Sequence, residues 1–510
     1  MQWLNKIVDD LVAVSHDEEI LIESGGSPSG THHLGHMREL VTCDAVLLEL
    51  RRRGQRARHI YFSDDLDGLR KVPVDVPASF EQYLGMPLCD IPSPDGRAES
   101  YGDYFTSQLQ RASQSLGIEV EFIASHEKYR TGFFVSAIER SLERLQQAKE
   151  ALESISGRKL EDSWSPIQIM EQGRLKKRAF VSIDTQNKTL IYRNAEGAEQ
   201  HVKYDDGSVK LDWRLDWPGR WWLLRIAAEP FGRDHASAGG SYDTGMQIMK
   251  DVYGAPAPYP IPYDFINLAG DTKKMSASKG TGLDAEEGVT IMPPEVVRYL
   301  VLGVPPKKRI YFDPVGDVVR LMDEYAALVA KPEKTADEQQ LLYICTRGNS
   351  DGMVSRVPFS HLVASYQASL RDPAKTLEVI GRTEYAAIAA AESEIILKEL
   401  TFIDAWLDKR APDEVKFSLL EQIQIDEFNE NEVKLFAGLA EMIAAAPLDA
   451  DGELYHKALY SLKEELGMQP KDVFSALYRL LIGKTNGPRA GWFLSILPRD
   501  WLIARLRLVK

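Results

Sequence analysis

The sequence predicts an α/β protein in which a parallel sheet is interrupted by a β-containing insertion and followed by an all-α C-terminal part. Three observations predict it. The apolar run Ile20-Leu-Ile22 leads into a Gly/Ser/Pro cluster, and from His33 the apolar positions Leu34, Met37, Val41, Ala45 and Leu48 fall at steps of three and four. A strand, a loop and a helix therefore follow one another, and 59–63, aromatic and β-branched, supplies the second strand of a right-handed βαβ unit. Small polar loops recur after the strand candidates 227–231 and 263–268, while beyond about residue 315 alanine-rich helical stretches take over. The first two parts read as a Rossmann-type sheet, the third as a helical domain.

The expected division is 1–74 for the first half of the sheet domain, 75–212 for the insertion, 213–314 for the second half and 315–510 for the helices. Within the insertion, 133–152 carries one apolar stripe and reads as a single long helix. The alternating runs 179–183 and 189–192 read as strands of a small β module. A helix is expected over 246–252, and further helices over 318–329, 383–406, 432–445, 454–466 and 473–481. Four tryptophans between Trp213 and Trp222 are expected to place at least two rings in the core.

Bulk properties set limits. With 44% hydrophobic and 27% charged residues, 510 residues suffice for several cores. No run nears the ~18 apolar residues of a membrane span, and the N-terminus does not read as a signal peptide. Cys43, Cys89 and Cys345 lie far apart, which fits a reducing cytoplasm and gives no cysteine zinc site. A net charge of -15 disfavours indiscriminate nucleic-acid binding, so an RNA partner would need local basic patches such as Arg51 to Arg58 or the tail from Arg499.

The loop Gly25-Gly-Ser-Pro-Ser-Gly30 before the helix at His33 is suited to phosphate, because free N–H groups and the helix dipole face it. His33 and His36, three apart, share a face of the first turn and suit the oxygens of a triphosphate. A metal on His32, His33 and His36 is the weaker reading, since Glu39 is the only acid on that face. Asp64, Asp65 and Asp67 end the second strand, where an ammonium group or Mg²⁺ is a fitting ligand. Asp234 suits ribose hydroxyls; His235 and Tyr242 suit a substrate pocket. Lys273, Lys274 and Lys279, among Ser276, Ser278 and Gly280, form a loop able to clamp phosphates.

His33-Leu-Gly-His36 and Lys274-Met-Ser-Ala-Ser-Lys-Gly280 resemble the HIGH and KMSKS signatures of class I aminoacyl-tRNA synthetases. Asp64-Asp-Leu-Asp67, Asp216-Trp-Pro218, the run 239–245 and Gly487-Pro-Arg-Ala-Gly491 narrow the resemblance, over essentially the whole chain, to the class I type of lysyl-tRNA synthetase. The resemblance implies a two-step reaction: lysine and Mg·ATP give lysyl-adenylate and pyrophosphate, and lysine then passes to tRNA(Lys). It implies that His33, His36, Lys274 and Lys279 are catalytic. Pro28, Gly30, Gly35, Gly232, Asp234, Ser276 and Ser278 would contact ATP, and Gly25, Ser27, Asp64, His235 and Tyr263 would hold lysine, with Asp64 on the α-ammonium. It implies an anticodon-binding role for the C-terminal helices and ATP as a substrate with Mg²⁺. Without cysteine ligands in the β insertion no zinc is expected, without an apolar span no membrane, and a cytoplasmic monomer is the expectation. The chain departs from the family pattern at His36, often Asn, and at Ala277, often Lys. A small-molecule nucleotidyltransferase with an HxGH loop, a non-catalytic tRNA-binding paralogue and a class I synthetase for another amino acid are the alternatives.

Overall fold

The computed structural model describes all residues except 15–18, 158, 162–163, 269–282, 350–351, 353, 423–426, 448–449 and 509–510. Two compact units emerge: 1–289 with 297–312 and 335–348, and 290–296 with 313–334 and 349–510.

The first unit opens with helix α1 (Gln2–Val14), whose Leu4, Val8 and Leu11 are buried at helical spacing. Strand β1 (Ile20–Gly26), helix α2 (Leu34–Arg52) and strand β2 (Ala57–Ser63) then form the expected βαβ unit, with Ile20 opposite Ala57 and Gly26 opposite Ser63. Helix α3 (Tyr101–Ser115) leads to β3 (Glu121–Ala124) and α4 (Ser125–Arg130). The stretch 133–152 is not one helix but two, α5 (Val135–Glu143) and α6 (Leu145–Ser156), broken at Arg144 (φ -106, ψ 31). The break lets α5 pack on one helix, α7 (Trp213–Leu224), and α6 on another, α8 (Ser241–Ile248), which one straight rod does not do. Between α6 and α7 lie β4 (Ile167–Glu171), β5 (Arg174–Lys177), β6 (Ala179–Asp184), β7 (Thr189–Arg193), β8 (Glu199–Lys203) and β9 (Val209–Leu211). They make two antiparallel sheets, ordered β5-β4-β9 and β6-β7-β8.

Strand β10 (Ala228–Gly232) returns to the main sheet, whose order is β11-β10-β1-β2-β3, all parallel. The helix expected from Met246 starts earlier, at Ser241, because Gly240 ends the preceding loop and Asp243 accepts the Gly239 N–H at 2.9 Å. The strand expected over 263–268 is two: β11 (Tyr259–Tyr263) at the sheet edge and β12 (Ile266–Leu268), which pairs with β13 (Ile310–Phe312). Pro260 and Pro262 lack N–H groups and are tolerated at an edge. At Asp264 the chain leaves the sheet: its N–H reaches the Pro306 carbonyl at 2.8 Å. Helices α9 (Ala285–Ile291), α10 (Pro294–Leu302), α11 (Asp317–Ala330) and α12 (Ala336–Thr346) follow.

Helix α2 buries Arg38, Asp44 and Glu49, and each charge is met. Arg38 donates to the carbonyls of Asp264 (2.6 Å), Pro306 (3.0 Å) and Lys308 (2.6 Å). Asp44 holds Arg298 at 2.6 Å and also Arg347; Glu49 holds Arg52 and Arg53, each at 2.8 Å. Arg38→Met keeps the stem but strands the Asp264 and Lys308 carbonyls, while Pro306 keeps the Asp264 N–H. It is expected to cost about 3 kcal/mol or more, read as a lower denaturation midpoint.

The second unit is helical: α11, already given, with α13 (Phe359–Ala368), α14 (Pro373–Ile380), α15 (Ala386–Ala391), α16 (Ser393–Lys409), α17 (Glu430–Ala445), α18 (Gly452–Glu465), α19 (Pro470–Ile482), α20 (Ala490–Ile496) and α21 (Arg499–Leu506). The single helix expected over 383–406 breaks at Glu392, whose carboxylate accepts the Arg356 N–H at 2.9 Å and pairs with its guanidinium at 2.5 Å. Leu435, Phe436, Leu459, Leu477 and Phe493 form much of this unit's core.

Candidate active site

Strand β1 sends its chain through α2 to β2 on one side, while β10 joins it from the other. In a parallel sheet such a reversal opens a crevice at the carboxyl ends of the strands. Four neighbouring strand ends carry the expected residues there: Asp64 after β2, Gly25 to Gly30 at the end of β1, Gly232 to His235 at the end of β10 and Tyr263 at the end of β11.

Close approaches crowd two of the loop glycines, with backbone at Gly25 and with a movable side chain at Gly232. A Cβ at Gly25 would sit 2.8 Å from the Phe62 carbonyl oxygen, and one at Gly232 would sit 2.6 Å from Asp234 Oδ1. His33 caps α2, and its N–H donates to His36 Nδ1 at 3.1 Å. Since Nδ1 accepts, the proton of the neutral His36 ring is on Nε2, which makes that nitrogen a donor. The two rings lie 4.0 Å apart, on one face as expected. Gly35 makes this possible, because a Cβ there would stand 2.7 Å from the His33 ring. Gly35→Ala is therefore expected to displace the ring and lower activity by about 10²-fold while the melting temperature holds.

Lys274, Lys279, Ser276 and Ser278 lie outside the described residues. The chain just beyond them is tied to the histidine turn: Leu34 N–H donates to the Leu283 carbonyl and Ala285 N–H to the His32 carbonyl, each at 2.8 Å.

The acidic loop after β2 is held by cationic side chains of the protein. Asp64 pairs with Arg220 at 3.1 Å, Asp65 with His126 at 2.5 Å and Asp67 with Lys210 at 3.1 Å. Burial is the reason, since each carboxylate is taken from water and needs a protein partner. Burial pushes Asp64 up to about 6 against the pull of Arg220. Tyr242, expected in the pocket, is a packing residue: its hydroxyl donates to the Pro258 carbonyl at 2.7 Å and its ring stacks on Phe231. His235 meets the edges of Trp213 and Trp217 at 5.8 and 5.6 Å. Trp217 and Trp221 are the two buried indoles of their cluster. Among the described residues no group of His, Cys, Asp or Glu has the geometry of a metal site.

A family model described as tRNA synthetases class I (K) matches residues 1–346, and an anticodon binding domain matches 396–510. The chain belongs to the tRNA synthetases class I (K). Relatives of this class I (K) chain include a lysine–tRNA ligase of Archaeoglobus fulgidus, 35% identical over 99% of both chains. Lysine–tRNA ligase 1 of Methanosarcina acetivorans is 34% identical over 99% of this chain and 98% of that one. The lysine–tRNA ligase of Thermococcus kodakarensis is 32% identical over 100% and 99%.

Three acids of the class I (K) crevice escape sequence reasoning. Glu39, on α2, accepts the Gly25 N–H at 2.9 Å and the Tyr263 hydroxyl at 2.6 Å, and burial pushes it up to about 7. Glu229, on β10, accepts the indole N–H groups of Trp217 (2.8 Å) and Trp221, and burial pushes it up to about 8. Glu23 is fully buried on β1, 3.2 Å from Arg220, and burial raises it well above 4.5. Glu23, Glu229 and Asp216 are buried and Glu39, Asp64 and Asp67 half-buried, so six carboxyl groups stand against the buried cations Arg220 and Lys210. Glu39 gave one usable signal: it lies three residues beyond His36, on the same helix face.

Proposed function

We propose that this chain is a lysine–tRNA ligase that activates lysine with ATP and transfers it to tRNA(Lys). The excess of carboxyl groups over cations in the crevice carries the reading, because a ligand with two ammonium groups lets carboxyls that burial holds neutral, Glu39 above all, ionise against it. Glu39, joined to both Gly25 and Tyr263, is the acceptor for the side-chain ammonium; Asp64, at the neighbouring strand end, takes the α-ammonium.

Lysine's carboxylate oxygen attacks the α-phosphorus of ATP, the bond to the β-phosphate oxygen breaks, and pyrophosphate leaves. His33 and His36 donate to the phosphoryl oxygens as their charge grows. Lys274 and Lys279 hold the departing pyrophosphate; Gly232 and Asp234 face the ribose. The tRNA's terminal ribose hydroxyl then attacks the adenylate carbonyl and AMP leaves. ATP enters as its Mg²⁺ complex. The catalytic part runs to about residue 314, the helices beyond read the tRNA, and the enzyme works as a cytoplasmic monomer.

ATP–pyrophosphate exchange with a panel of amino acids, with and without tRNA(Lys), tests the reading. Lysine is expected to support exchange with tRNA present. Exchange with glutamine, arginine or cysteine and none with lysine refutes it.

A further inference from the structure

Helix α7 runs along β10 with its first turn at the crevice. Trp217 donates to Glu229 within the strand at 2.8 Å, and one turn earlier Trp213 meets His235, which lies beyond the strand's carboxyl end. We infer that Trp213 and its neighbour Arg214 form a stacking platform for the unpaired terminal nucleotide of tRNA. The inference rests on the transfer step proposed above, in which that nucleotide's ribose hydroxyl comes to the adenylate.

The Trp213 ring differs from the indoles one and two turns on. Trp217 and Trp221 are buried and donate to Glu229, whereas Trp213 is half-buried. It is held in place by Trp217, 6.0 Å away with 30° between the planes, and by the contact with His235 at 5.8 Å. The Arg214 guanidinium lies over the same ring, 5.5 Å from its centre. Indole and guanidinium are the flat groups on which an unstacked base settles, because every base has a π-face and Arg adds its charge to the contact. A ring already fixed by its neighbours loses little freedom when the base arrives.

Charge selects RNA over lysine at this turn. The half-buried Arg214 side chain makes no ion pair or hydrogen bond among the described residues. The acid two residues before it, Asp212, caps α7 by accepting the Arg214 backbone N–H at 3.3 Å and pairs instead with Lys177 at 2.8 Å. An uncompensated guanidinium repels lysine, with its two ammonium groups, and attracts a nucleotide phosphate. The approach to the platform is basic too. The Lys177–Asp212 pair brings β5 against the start of α7, and Arg174-Leu-Lys-Lys-Arg178 is a basic run in a chain of net charge -15. Within it Arg178 is taken by Glu171 at 2.6 Å and Arg174 donates to the Gln82 carbonyl at 2.8 Å, but Lys176 is exposed and without an ion pair among the described residues. A single strand whose phosphates follow β5 brings its last base to Trp213 and its ribose to the crevice.

The test uses the full chain with Trp213→Leu, Trp213→Phe and Arg214→Gln, each checked by thermal melting; Arg214→Gln removes no protein partner and keeps the test open if Trp213→Leu misfolds. Binding of tRNA(Lys) is titrated with the intact RNA and with one lacking only its terminal nucleotide. The KM for ATP and for lysine is measured in exchange at saturating tRNA. Wild type is expected to bind the intact RNA about tenfold more tightly than the shortened one, the scale of one stacked base. In Trp213→Leu and Arg214→Gln that ratio is expected to fall below about twofold, with binding of the shortened RNA and both KM values unchanged; Trp213→Phe, which keeps a flat ring, is expected to retain most of it. A wild type that does not distinguish the two RNAs overturns the platform, and so does a ratio that survives both substitutions. An equal loss for both RNAs puts Arg214 on an upstream phosphate. A rise confined to the KM for ATP or for lysine gives the ring to that substrate, and each of these results also overturns the proposal. A chain that attaches no lysine to tRNA, yet whose preference for the intact RNA disappears in the variants, refutes the lysine reading and leaves the platform standing.

Discussion

His33→Ala is expected to lower lysine-dependent exchange by about 10²–10³-fold with the fold intact, since one preorganised donor to a developing oxyanion is worth that much. The ring is 8% exposed and sits at the cap of α2, so truncation opens a small space at the crevice rather than in the core. His36→Ala is expected to do similar damage by a second route. It removes the acceptor of the His33 N–H as well as a donor to phosphate. His36→Asn is the informative contrast: a carboxamide oxygen can accept that N–H while its NH₂ donates outward, so this variant is expected to stay within about tenfold of wild type. Equal exchange rates in wild type and His33→Ala, measured at saturating lysine and ATP, remove the transition-state role.

Glu39→Gln is expected to reduce kcat/KM for lysine by about 10²-fold or more, the scale for losing one partner of a buried charge pair. The pH dependence identifies the cause. Burial raises Glu39 from 4.5 to about 7 in the free protein, so at pH 6 most molecules carry the neutral acid and cannot meet an ammonium. The KM for lysine is expected to fall as pH climbs from 6 to 8 and then level off, with about one proton released on binding. Stability runs the other way. A carboxyl whose folded pKa is raised favours folding while protonated, and that advantage is lost as pH rises from the unfolded value of ~4.3 through 7, by about 4 kcal/mol. Glu39→Gln removes the ionisable group, so the variant without ligand is expected to be more stable than wild type at pH 8 while binding lysine worse. A flat lysine KM between pH 6 and 8 in wild type rules Glu39 out.

The loops of the site were legible because glycine, serine and histidine sit there for local reasons. Gly25 and Gly35 answer to close approaches, and His33 and His36 to one turn of one helix. Strands β1, β2 and β10 were legible from apolar runs ending in those loops. What escaped depends on distant partners. Asp64 reads as a free acid until Arg220 arrives from α7, and Asp67 until Lys210 arrives from β9. Glu39 and Glu229 look like ordinary helix and strand residues until burial raises them. The breaks at Arg144 and Glu392 fall inside unbroken apolar stripes, and only packing partners set them. Prolines disguised β11, because the rule that expels them from strands relaxes at an edge.

The central position of β1 has a consequence for synthesis. Its β2 side is covered within one βαβ unit, but its other neighbour, β10, begins only at Ala228. At ~5–20 residues per second, a ribosome takes roughly ten to forty seconds to reach it. Throughout that interval Ile20, Leu21 and Ile22 form an open edge on a nascent chain, the kind that recruits foreign strands. The growing polypeptide is thus most exposed to aggregation before its two sheet halves meet, and chaperone occupancy on translating ribosomes should fall once β10 has emerged.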